Sequence, residues 1–137
     1  MTIFHFNPIR TGFLSLAICG FATSTALADT DQYIPVPSGQ SLSFIEFLSE
    51  NDGKVVRFRF LTPEIGETYA YMDVAPDFQA VCDEQVMPVL DANALVPTQI
   101  VLSMSAADIP FGEDNPDVLQ FFEIFRPENG TCIWEEF

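Results

Sequence analysis

"VLQFFEIFRPENGTCIWEEF", residues 118–137, is the stretch on which the reading of the fold turns. Two runs rich in apolar and aromatic residues flank Pro127-Glu128-Asn129-Gly130, and a glycine-containing turn between such runs is the signature of a β-hairpin. Strand alternation then puts Cys132, Trp134 and Glu136 on one face. A cysteine near a chain end can be a nucleophile, a metal ligand, a redox sensor or half of a disulfide. Whichever it is decides what that face looks at.

The compartment comes from the opposite end of the chain. Arg10 and the amino terminus precede the uncharged run "TGFLSLAICGFA", and Ala26-Leu27-Ala28 supplies the small-x-small pattern of signal cleavage before Asp29. The run is shorter than the roughly 20 residues that cross a bilayer, so no membrane span is expected after cleavage. An uncleaved anchor and a lipid on Cys19 are the alternatives. The lipid motif wants a small residue where Ile18 stands. With residues 1–28 as a signal peptide, residues 29–137 form one compact domain in the periplasm or outside the cell.

Cleavage changes the chemical inventory. It removes Cys19, Arg10 and His5, and leaves Cys82, Cys132, the cations Lys54, Arg57, Arg59 and Arg126, and no histidine. All 20 acidic residues lie beyond Ala28, for a net charge of −16. An even cysteine pair in an exported domain is usually a disulfide, and no base or cation stands near Cys132 to make a thiolate. Cys82 and Cys132 are therefore expected to bond, closing a loop of about 50 residues worth roughly 4 kcal/mol in the chain-entropy account. The face bearing Cys132 must then look at the element bearing Cys82, which places Trp134 in the main core.

Five segments precede the hairpin. "DTDQYIPVPSGQ" reads as an extended entry arm. "SLSFIEFLSEND" reads as a short helix with a capping box from Ser43 and Glu46, a strand being the competing assignment. "KVVRFRFLT" is a strand with Val56, Phe58 and Phe60 on one face and Arg57 and Arg59 on the other. A central helix is expected from Ala75 to Met87, opened by Pro76, ended by Pro88, and burying Phe78, Val81, Cys82, Val86 and Val89. "TQIVLSMS" is a further strand with Ile100, Leu102 and Met104 inward. The class is α+β: a mainly antiparallel sheet of about four strands, ending in the hairpin and packed against one or two helices.

The stretches "VPSGQ", "VRFRFLTPEI", "PFGEDNPDVLQFFEIFR" and "GTCIWEEF" resemble a family of small exported alphaproteobacterial proteins of unknown function. Some relatives carry an acetolactate synthase label. Thiamine-dependent enzymes of that kind are large and multidomain, and a domain of this size has no room for their cofactor-binding parts.

Site chemistry is mostly narrowed by exclusion. The missing histidine rules out serine-histidine triads, imidazole bases and histidine metal ligands, and no glycine-rich phosphate loop is present. No cofactor and no metal site is expected. Four cations against 20 acids disfavour nucleic acid and anionic membrane surfaces. Two regions remain as candidates. The loop "SAADIPFGEDNPDV" gathers Asp108, Glu113, Asp114 and Asp117 around Phe111, which suits a cationic protein or peptide of the envelope, with calcium as a narrower option. Arg57 and Arg59 form a sheet-face site that either neutralises neighbouring glutamates or holds a small anion.

The functional expectation is a non-catalytic acidic interaction module. The alternative is a small hydrolase of envelope glycans using Glu123 with Glu135 or Glu136. Export makes the first prediction: intact-mass measurement of the protein from the envelope fraction should give a chain beginning at Asp29. Retained residues before Asp29, or a lipid on Cys19, would refute it.

Overall fold

The computed structural model describes residues 32–136; the segment around Ala26, Ala28 and Asp29 lies outside them. Five strands form one sheet in the order of the chain: β1 (Ser43–Glu50), β2 (Val55–Leu61), β3 (Gln99–Ser105), β4 (Gln120–Glu128) and β5 (Thr131–Trp134). All neighbours are antiparallel except β2 and β3. A parallel pair needs a crossover, and here it is a helical segment lying over one sheet face. The α+β class and the terminal hairpin are as the sequence indicates, with five strands in place of about four.

The extra strand is the segment read as a short helix. β1 pairs with β2 through Phe44 with Phe60 and Phe47 with Phe58, and the register shifts between Phe44 and Glu46. This β-bulge puts two phenylalanines three residues apart on the same face, a spacing that mimics helical periodicity. Their rings pack on β2, Phe44 against Phe60 at 5.9 Å and Phe47 against Phe58 at 5.1 Å between centroids. Pairing with the apolar β2 outweighs what a Ser43/Glu46 capping box would contribute, typically about 1 kcal/mol.

The crossover comprises α1 (Tyr71–Val81), a π-helical turn (Cys82–Val86) and α2 (Met87–Ala92), so it begins earlier and ends later than Ala75 and Met87. At its start Asp73 accepts the Ala70 N–H at 2.8 Å, and Pro76 sits inside α1 with an exposed side chain. Pro88 does not stop the helix either. The Met87 N–H bonds to the Cys82 carbonyl five residues back, and this wider turn relieves the clash that a proline ring makes with the preceding turn. The π turn also rotates the faces of α2 relative to those of α1. Val89, expected inward, is exposed, and Leu90 is buried in its place.

Beneath the crossover lies the core, where Val56, Phe58 and Phe60 of β2 and Ile100, Leu102 and Met104 of β3 meet Val74, Phe78, Val81 and Val86. The entry arm is tied to the same helix. Buried Asp77 accepts the Ser38 N–H at 2.9 Å, the Ser38 hydroxyl at 2.5 Å and the Gln40 side-chain amide at 2.7 Å. These three bonds satisfy the buried carboxylate, which accounts for a serine and a glutamine held in the turn "VPSGQ".

Cys82 and Cys132 are joined by a disulfide with a Cα–Cα distance of 6.0 Å. Asp83 and Gln79 add bonds to the Cys132 backbone N–H and carbonyl, both at 2.8 Å. Trp134 shares the face of Cys132 but is 48% exposed, not in the core. Parity sets the face of a strand residue, whereas depth depends on how far the covering helix reaches, and Trp134 lies beside the first turns of α1 at the rim. A closed loop of this length leads to a second prediction: Cys132→Ser, or reduction of the native protein, should lower the melting temperature by about 15 °C or more. A shift of only a degree or two would show that β5 is held without the bond.

Candidate functional site

The outer sheet face, away from the helices, is built by strand parity. Arg57 and Arg59 of β2 stand beside Val101 and Ser103 of β3, which in turn neighbour Ile124 and Phe122 of β4. No helix covers this face among the described residues. Instead the segment 106–119 between β3 and β4 folds back over it. The Glu113 N–H bonds to the Pro110 carbonyl at 3.1 Å, and Gly112, at φ +84°, takes the left-handed position of that turn. Phe111 is thereby brought over both guanidinium groups, 5.8 Å from Arg57 and 5.9 Å from Arg59. Ile109 is buried under the loop, and its carbonyl accepts a bond from Arg59.

The two regions singled out in the sequence are therefore one site. A groove of about 340 Å³ has Arg57, Arg59, Val101, Ser103 and Phe122 as its floor and Ile109–Asp114 as its opposite wall. Glu113 and Asp114 line it, whereas Asp108 and Asp117 are exposed and do not. Both arginines are also paired with glutamates of β1: Arg57 Nε donates to Glu50 at 2.8 Å, and Arg59 to Glu46. The floor is thus close to neutral. Glu113 and Asp114 have no cation within salt-bridge distance among the described residues, so the rim carries uncompensated negative charge.

Two floor residues were not anticipated. Ser103 is 4% exposed, lines the groove, and its hydroxyl has no hydrogen-bond partner among the described residues. Phe122 is 56% exposed and supplies an apolar side to the groove. The sequence does carry a trace of Ser103: it breaks the apolar run of "IVLSMS" on the side that faces Arg59.

A second cleft, of about 360 Å³, opens on the helix side between α1 and the hairpin. Here Glu123 accepts the Tyr71 hydroxyl at one carboxylate oxygen and the Trp134 indole N–H at the other, the latter at 2.5 Å. Glu135 sits elsewhere. Its backbone N–H pairs with Ile124, and its carboxylate approaches Arg126 at 3.3 Å on the outer face. The register thus separates Glu123 and Glu135 by the thickness of the sheet, and Glu136 is exposed past the end of β5. Among the described residues, no group of three or more acidic or cysteine side chains converges as metal ligands.

The hydrogen bond to Glu123, then burial and the glutamate's negative charge, raise the Tyr71 hydroxyl from 10.0 to about 12. Because the folded-state value lies above the unfolded one, this bond stabilises the fold fully below about pH 10, and the contribution fades as the pH rises through about 12. Spectrophotometric titration should find a tyrosine ionising near pH 12 that Glu123→Gln moves back towards 10. No difference between the two proteins would refute the contact.

No curated protein and no solved structure shows significant similarity to this chain. A family of unknown function, DUF6497, matches residues 17–137, which takes in every strand, the crossover and both clefts. Matched over that span, the chain belongs to the DUF6497 family.

Proposed function

We propose that this protein is a non-catalytic binding module exported to an oxidising compartment, and that the groove beneath segment 106–119 receives a cationic, partly apolar protein or peptide. The observation that carries this reading is the pair Glu113 and Asp114: both line a groove with Phe111 and Phe122, and neither has a cation of its own among the described residues. A lysine or arginine of a partner gains charge there while its aliphatic stem covers the aromatic rings. The net charge of the chain, −15, draws such a partner from a distance.

Export is supported by the disulfide, which persists in oxidising compartments and is rare in the cytosol. It is also compatible with the described residues, none of whose helices is long and apolar enough to cross a membrane. A glycan hydrolase has less to stand on. Glu123 is occupied by Tyr71 and Trp134, and Glu135 points away from it.

The test is a triple variant, Phe111→Ala with Glu113→Gln and Asp114→Asn. Captured from envelope extract by the native protein and identified by mass spectrometry, the partner should be lost to the variant, while the melting temperature falls by only a few degrees. Retention of the same partner by the folded variant would rule the groove out.

A further inference from the structure

The groove carries unspent hydrogen-bond donors beneath its acidic rim. Arg57 gives only its Nε–H to Glu50, so its two terminal amino groups have no protein acceptor among the described residues. Arg59 differs: one terminal amino group goes to Glu46 and the other to the Ile109 carbonyl, and the residue is 6% exposed. Arg59 thus anchors the loop, and Arg57 is the guanidinium with donors to offer. Further along the same floor, level with Arg59, the Ser103 hydroxyl is buried, belongs to a residue that lines the groove, and lacks a partner among the described residues. A planar guanidinium fork and a hydroxyl on one groove floor offer a carboxylate its donors.

From these positions we infer that the ligand of this groove is a zwitterion, and that the site reads both of its charges. Its carboxylate lies on the Arg57 terminal amino groups and the Ser103 hydroxyl, its cationic group lies between Glu113 and Asp114, and its apolar part lies against Phe111 and Phe122. This rests on the groove being the binding site proposed above. Charge selects the class. A simple anion must pass an acidic rim on a chain of net charge −15, and a simple cation leaves the floor donors unanswered. A molecule bearing both charges satisfies each wall. The chemistry is shared by a free amino acid and by the carboxyl-terminal residue of a peptide with a basic side chain, and a groove of about 340 Å³ holds either.

Four probes and two variants test this, with amide shifts of ¹⁵N-labelled protein as the readout. Nα-acetyl-L-lysine mimics a chain end and L-lysine is the free amino acid. Nα-acetyl-L-lysine amide lacks the carboxylate, and Nα-acetyl-L-norleucine lacks the cation. At least one lysine acid should saturate shifts at Ser103, Gly112 and Phe122, and deleting either charge should weaken binding tenfold or more. Tighter binding by the acetylated acid assigns a chain end, and tighter binding by L-lysine a free amino acid. Arg57→Gln should abolish the preference for acid over amide. Ser103→Ala should weaken the acids severalfold while leaving the melting temperature unchanged or raised, because it removes an unpartnered buried hydroxyl. An amide that binds as tightly as the acid would overturn the zwitterion and leave a cation-binding groove standing. Absence of groove shifts with all four probes would overturn both.

Discussion

The bond between Cys82 and Cys132 is the constraint on which the arrangement of this domain depends. β5 has four residues at the edge of the sheet, and only Cys132 among them is buried. So short a strand brings little apolar burial of its own. The disulfide, with the bonds from Gln79 and Asp83 to the same residue, fastens it under the middle of the crossover. The π turn begins at Cys82 itself, so the point where the helix departs from regular geometry is also the point where it is tied to the sheet. That departure lets the helix run past Pro88 and bury Leu90. The crossover thereby covers β2 and β3 along their length.

With one face sealed by the crossover, the opposite face has only segment 106–119 over it among the described residues. Its attachment is polar and aromatic in kind: Phe111 over two guanidinium groups, and Arg59 holding the Ile109 carbonyl. An apolar lid would have closed the face completely. A lid held by arginine contacts leaves a groove with guanidinium donors on its floor and carboxylates on its rim, the arrangement from which binding of a doubly charged ligand is proposed. The helix-side cleft is different, because Tyr71 and Trp134 use both oxygens of the one carboxylate that could have done chemistry there.

Particular residues show where pattern reading fails. Phe44 and Phe47 stand three apart on one face because a bulge inserts a residue between them, and three-residue spacing is also what a helix shows. Pro76 and Pro88 are ordinary helix boundaries in local terms, yet one is absorbed in α1 and the other lies just beyond a widened turn. In each case burial against β2 and β3 outweighed a local preference worth at most a few kcal/mol.

By itself the sequence determined the alternation of β2, β3 and β5, the hairpin turn at Asn129-Gly130, the α+β class and the pairing of the two cysteines, because strand parity, turn chemistry and cysteine number act locally or by simple count. It also marked Arg57, Arg59, Phe111, Glu113 and Asp114 as notable, but as two unrelated groups. Only the tertiary structure decided that these groups face each other across one groove, that Ser103 joins Arg59 on its floor, that Trp134 sits at the rim and that Glu123 and Glu135 are parted. Those outcomes depend on which elements stack above which and on how far each extends, and such long-range distances leave no periodic trace in the chain.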